Sequence, residues 1–238
     1  MTTDDVAFSF PELPLNPAPQ GVSILLTGSD TDALQRVFYH LITARSDERS
    51  LVLATEMSGD TVNRALDSVA SGASTRSTVI TCGGLADQST IDTVEENTAL
   101  SNAGMQFSAL VTESGTVTTP QRAGLLISSN TYCGVTNKQS VSRFVHTNFL
   151  RHLRRKKIMG VCGIDISGAS KTDVVDSMSR GFSVHLRVEV SDRQRIKICI
   201  TGSDRSDESI SVELPEVTPP SQWIPESPDM TQRAEVGD

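Results

Sequence analysis

The chain has 238 residues, 37% of them apolar, a net charge of −8 and four cysteines. That length suits one globular domain with tails and is enough to bury a sizeable core. No apolar run approaches the roughly 18 residues of a membrane span, and Asp4 and Asp5 stand where a secretory leader would be basic, so a cytoplasmic protein with no membrane partner is expected.

The first segment, 1–20, contains Pro11, Pro14, Pro17 and Pro19 and reads as an irregular lead-in, interrupted by Phe8 and Phe10. A buried strand over 22–27 follows, then a polar loop opened by Gly28, then a helix with Leu34, Val37, Phe38, Leu41 and Ile42 on one face. Residues 51–55 form a second buried strand. It leads through Glu56 and Gly59 to a helix with Val62, Ala65, Leu66, Val69 and Ala70 on one stripe, ended by Gly72. A third strand, 78–82, stops at Gly83 and Gly84. The next helix carries Leu100, Ala103, Phe107, Leu110 and Val111, and 124–128 is a fourth strand.

The longest helix spans 138–157, with Val141, Phe144, Val145, Phe149 and Leu153 inward. Its end carries Arg151, Arg154, Arg155, Lys156 and Lys157. Cations there interact favourably with the helix dipole and also suit a solvated face, while an acidic or nucleic-acid partner is the alternative. A fifth strand over 158–165 is followed by a Ser170-x-x-Asp173 capping box and a short helix. Strict alternation from Phe182 to Val190, a polar turn and a strand over 195–201 predict a terminal antiparallel hairpin. Residues 203–238 hold nine acids, two arginines and five prolines, and read as an acidic, disordered tail whose only apolar anchor is Trp223-Ile224. The three resulting units are 1–20, a domain over 21–202 and the tail. With both ends acidic, the domain itself has 17 acids and 19 bases.

Strand, glycine-led loop and helix is the layout of a phosphate-binding loop. Its chemistry is missing here. Against G-x-x-x-x-G-K-[ST], Gly28 is followed by Ala33 for the second glycine, Leu34 for the lysine and Gln35 for the hydroxyl. Asp30 and Asp32, beside Ser29 and Thr31, add negative charge where a triphosphate would lie. The cysteines (Cys82, Cys133, Cys162, Cys199) are scattered, so reduced thiols are expected and no metal site is. His40, His146, His152 and His185 show no H-x-x-x-H spacing, and no G-x-S-x-G elbow occurs.

Alternating β and α units closed by a hairpin imply an α/β fold with a mostly parallel sheet between helices. The order resembles the RecA-like ATPases of the KaiC and Rad55 type, and most of all a divergent haloarchaeal set. The resemblance covers roughly 20–202. It rests on Ile24-Leu-Leu-Thr-Gly28, Leu51-Val-Leu-Ala-Thr-Glu56, Leu125-Leu-Ile-Ser-Ser129, Asn137-Lys-Gln-Ser-Val-Ser-Arg-Phe-Val145 and Ser179-Arg-Gly-Phe-Ser-Val-His-Leu186. It implies a RecA-like three-layer fold and, in an active member, an Asp that helps hold Mg²⁺ where Ser128 stands here. Only Glu56 matches a catalytic position, that of the carboxylate orienting the attacking water.

The leading expectation is a non-catalytic, regulatory or signalling module, without a cofactor, that meets a protein partner or a second copy of itself. The alternatives are an atypical ATP- and Mg²⁺-binding protein using Glu56 as base, and a DNA-associated recombination accessory using the basic helix end.

Overall fold

The hydrophobic stripe of helix α1 (Thr31–Ile42) decides the centre of the molecule, because Leu34, Val37, Phe38, Leu41 and Ile42 are all buried against the sheet. The computed structural model describes residues 7–55, 57–81, 93–113, 119, 121–128, 138–167, 177–192, 195–202 and 205–215. Around α1 run strands β3 (Ser23–Gly28), β4 (Arg49–Ala54), β5 (Ser77–Thr81), β6 (Gln121–Ile127) and β7 (Met159–Asp165). The strands β8 (Val184–Asp192), β9 (Arg195–Gly202) and β10 (Arg205–Glu213) follow. Among the described residues they form one sheet in the order β10-β9-β8-β3-β7-β6-β4-β5, parallel from β8 to β5 and antiparallel across β8, β9 and β10.

Helices cover both faces of the sheet, which is why β3 and β7 are buried along their whole length. One core packs α1 and α2 (Gly59–Val69) on Ile24, Leu26, Val161, Leu186 and Val188. The other packs α3 (Thr93–Glu113), α4 (Lys138–Phe144) and α5 (Leu150–Lys156) on Leu25, Leu53, Leu125, Cys162 and Ile164. This is the expected three-layer α/β arrangement. No described helix is long and apolar enough to cross a membrane.

Three strand glycines set the spacing between layers. A Cβ on Gly124 would lie 2.8 Å from Phe38 Cζ and one on Gly163 3.1 Å from Phe38 Cδ2, so α1 seats its ring in the hollow these two residues leave. On the opposite face, Gly160 leaves room for Leu153 of α5.

The structure corrects two expectations. The long helix over 138–157 contains a π-helical turn, Val145–Phe149, in which Leu150 N–H bonds to the Val145 carbonyl. The extra residue in that turn brings both Phe149 and Leu150 into the core below Phe144 and Val145. The hairpin continues into a third strand, so the described sheet runs on through β10 to the buried Leu214, past the boundary expected at 202. Its Ile210 and Val212 join the α1-side core while Ser209, Ser211 and Glu213 face away, a period-2 pattern diluted by polar residues. The capped helix over 170–178 lies mostly outside the described residues.

The lead-in is also more ordered than its prolines suggest. β1 (Ala7–Phe8) pairs with β2 (Ala18–Pro19), and Phe8, Phe10 and Leu13 are buried in the α1-side core. The chain then enters β3 through Gly21, whose φ of 77° favours glycine. What receives this strap is Arg122, itself 1% exposed. Its Nε and Nη2 bond the two carboxylate oxygens of buried Glu48 at 2.6 and 2.9 Å, Nη1 donates to the Leu41 carbonyl at 2.7 Å, and Nη2 donates to the Ser9 carbonyl at 3.1 Å. The guanidinium also lies 5.2 Å from the Phe8 ring centroid and 5.3 Å from that of Phe10. Farther along the strap, Glu12 meets His40 Nδ1 at 2.6 Å.

Candidate functional site

In a parallel sheet flanked by helices, ligands bind at the carboxyl ends of the strands. Here that rim carries the junction between β3 and α1. β3 ends at Gly28 and α1 begins at Thr31, leaving Ser29 and Asp30 as the whole connection. Asp30 is the N-cap: its backbone is extended and its carboxylate accepts from Ala33 N–H at 2.8 Å. Thr31 Oγ1 donates to Asp165 Oδ2 at 2.7 Å, and Asp165 Oδ1 accepts from Ser167 N–H at 2.8 Å.

Asp165 closes β7 in register with Gly28 and is 4% exposed, so the first turn of α1 has a buried carboxylate beside it and a second one capping it. A helix N-terminus attracts one anion. This one is already served by the chain's own side chains. Gly28 is not in a left-handed conformation, and a Cβ there would sit 3.3 Å from Val188 Cβ and 3.4 Å from Leu34 Cβ. It is small so that α1 and β8 can approach β3. Ser29, Asp30, Thr31 and Asp32 are exposed, and Ser128 lies half-buried just past the end of β6. Glu56 lies outside the described residues.

The basic cluster sits at the opposite rim. Arg151, Arg154, Arg155 and Lys157 are exposed and Lys156 is half-buried. Arg154 is tied to the domain by a hydrogen bond from its guanidinium to the Gly181 carbonyl. Lys157 takes the left-handed conformation that ends the helix, and Ile158 N–H bonds back to the Leu153 carbonyl at 3.0 Å. His152 faces the other way, its Nε2 2.8 Å from Ser108 Oγ and its ring edge-on to Phe107. Burial, followed by the charges of Arg151, Arg155 and Lys156, holds the His152 pKa below its usual value. Arg151, Arg155, Lys156 and Lys157 make no ion pair with an acid among the described residues.

Two more histidines have their pKa held below the usual value. Burial, opposed by Glu12, lowers His40, whose Nε2 has no hydrogen-bond partner among the described residues. Burial and then Arg187 lower His185, which meets Thr27 Oγ1 at 2.8 Å. A lowered folded-state pKa means that the unfolded chain takes up the proton first. Stability is therefore complete above the ordinary histidine value of about 6.5 and declines as pH falls below it. The denaturant midpoint is expected to fall between about pH 7 and pH 5. His185→Gln should flatten part of that slope, and an unchanged slope in this variant would remove His185 from the account.

The structure has the glycine-led loop between β3 and α1, Ser128 just past the end of β6 and the basic run at the end of α5. Sequence reasoning missed Asp165, Arg122 and Glu48. Asp165 had a readable signal, a carboxylate closing a buried strand; the other two had none, because their partners are distant in sequence.

The fold has a solved counterpart. A crystal structure of the RadB recombinase is similar with a TM-score of 0.56 and 11% sequence identity, over 83% of this chain and 89% of that one. At that identity the likeness concerns the fold, which is RecA-like. No protein-family model matches the sequence, and no curated protein matches it either.

Proposed function

We propose that this RecA-like chain is a non-catalytic module, of the KaiC and Rad55 type, that acts as a regulator or signalling adaptor through contacts with a protein partner or a second copy. One observation carries the reading. The α1 N-terminus, where a RecA-like ATPase would cradle phosphates, is joined to β3 by Ser29 and Asp30 alone and is flanked by the carboxylates of Asp30 and Asp165. A triphosphate there would meet like charge instead of a lysine, and Ser128 offers a neutral hydroxyl where Mg²⁺ needs a carboxylate. Within Gly28–Asp32 the junction offers no lysine or arginine to offset charge in phosphoryl transfer. The free Cys162 and Cys199 fit a cytoplasmic setting.

The test is calorimetric titration with ATP and Mg²⁺ at several salt concentrations, with phosphate release followed on the same sample. No saturable heat and no release are expected. Micromolar binding would overturn the reading, and turnover abolished by Glu56→Gln would establish the atypical enzyme in its place.

A second reading, a DNA-associated recombination accessory, draws on the exposed cations at the end of α5, which make no ion pair among the described residues, and on a structural counterpart titled a recombinase. It requires retention on DNA that weakens steeply with salt and is lost in Arg151→Glu/Arg155→Glu/Lys156→Glu. Retention indifferent to salt and to these changes would dismiss it.

A further inference from the structure

β10 is the last strand of the sheet, and among the described residues only β9 pairs with it. Its other side is a row of backbone N–H and C=O groups of the kind that templates a further strand. Natural edges are blunted by lysines, prolines or bulges. β10 has its bulge between Arg205 and Glu208, which leaves 208–213 as a regular strand containing neither lysine nor proline.

The side chains of this stretch complement themselves. Ile210 and Val212 lie half-buried at the margin of the α1-side core, while Ser209, Ser211 and Glu213 are exposed on the other face. In an antiparallel pair, residues directly opposite each other share a face of the sheet. With Ser211 on a two-fold axis, Ile210 meets Val212 of a second copy and Val212 meets its Ile210. Ile210 sits beside Ile198 and Val188, and Val212 beside Ile196 and Val190. The apolar row Val188, Ile198, Ile210 then runs on into Val212, Ile196 and Val190 of the other copy. On the polar face Ser211 meets itself. Ser209 meets Glu213, whose carboxylate accepts from Arg195 Nε at 2.8 Å within its own chain.

Neighbouring registers are poorer. Centring on Ile210 sets Val212 against Glu208, and centring on Glu213 sets two carboxylates face to face. Centring on Val212 brings Pro215, which has no N–H, into the ladder.

We propose that two copies of this chain join edge to edge, β10 against β10 and antiparallel about Ser211, so that one sheet runs through both. This specifies the second copy named in the proposed function, and it rests on that reading only for the existence of a protein contact. The seam is short, so the dimer forms and parts with concentration. Because β10 runs in the direction of β3, the axis turns the two carboxyl-end rims opposite ways and leaves each α1 N-terminus clear of the seam.

The full chain provides the test. Residues facing each other on the axis stand about 4.5–5.5 Å apart at Cα, within the roughly 4.4–6.8 Å that a disulfide spans. In the same register position 209 and its copy lie roughly 14 Å apart, too far to bridge. In a glutathione redox buffer, Ser211→Cys should therefore form a disulfide-linked dimer many-fold faster than Ser209→Cys, with peptide mapping linking position 211 to itself. The natural chain, with its four cysteines, gives the background. Sedimentation velocity of the natural chain should show a dimer that grows with concentration. Ser211→Lys, which sets two ammonium groups face to face, should remain a folded monomer. Equal cross-linking at 209 and 211 overturns the proposal, and so does a dimer that survives Ser211→Lys. A natural chain that stays monomeric overturns it too, while leaving a different protein as the partner in the proposed function. ATP binding would instead defeat that function and leave the cross-linking result standing.

Discussion

Replacing Arg122 by methionine is expected to destabilise the protein by about 3–5 kcal/mol, the range for breaking a buried ion pair from one side. Glu48 would be left as a buried carboxylate, still accepting Arg45 N–H but without its fork of two guanidinium bonds. The carbonyls of Leu41 and Ser9 would also lose their donor, and Phe8 and Phe10 the cation between them. Coupled to the domain through these contacts, the strap should loosen first. Denaturant unfolding measures the loss, and limited chymotrypsin digestion reads the strap through cleavage of the Phe8–Ser9 bond. Arg122→Met/Glu48→Leu should recover more than half of the lost stability, because an apolar pair removes the stranded charge. A cost below about 1 kcal/mol for the single variant would mean that Glu48 finds water or another partner, and that the pair does not organise the strap.

The same pair shows where a sequence stops being informative. Arg122 opens a strand and Glu48 lies 74 residues earlier in a polar loop; nothing in the local pattern of either tells of the other. The strap is opaque for a similar reason. Its prolines argue against regular structure, and the aromatic residues that hold it in place depend on a receptor built from α1, β6 and the loop before β4. By contrast, α1, α2 and the central strands were legible because one stripe of side chains meets one large apolar surface. β10 falls between these cases. It alternates, yet its outward positions are Ser209, Ser211 and Glu213, so an edge strand with one wet face reads like the start of a polar tail. At the candidate site, the absence of lysine in the loop was plain from the residues. That the loop is only Ser29 and Asp30 long, with Asp165 beside it, follows from the register of β3 on β7 and could not be read locally.

Gly160→Val is expected to cost at the upper end of the roughly 1–3 kcal/mol typical of overpacking. A Cβ at this position would lie 1.9 Å from Leu153 Cδ1, and Leu153 is fully buried between α5 and β7. The opposing effect is small. Removing a glycine from a strand gains about 0.5–1 kcal/mol of backbone entropy, so crowding wins. The strain has two outlets: an off-rotamer Leu153, or an outward shift of α5. The second would move Arg151, Arg155 and Lys156 with the helix and alter the field at His152, so the variant's His152 titration distinguishes the two. Leu153→Ala alone should cost about 2–5 kcal/mol through the cavity it leaves. Combined with Gly160→Val, that cost should be smaller than the sum, with a favourable coupling above about 1 kcal/mol, because the new methyl groups fill part of the space Leu153 vacates. Strict additivity in this double-mutant cycle would show that the two residues do not share the space, and that the closeness of α5 to the sheet does not depend on Gly160.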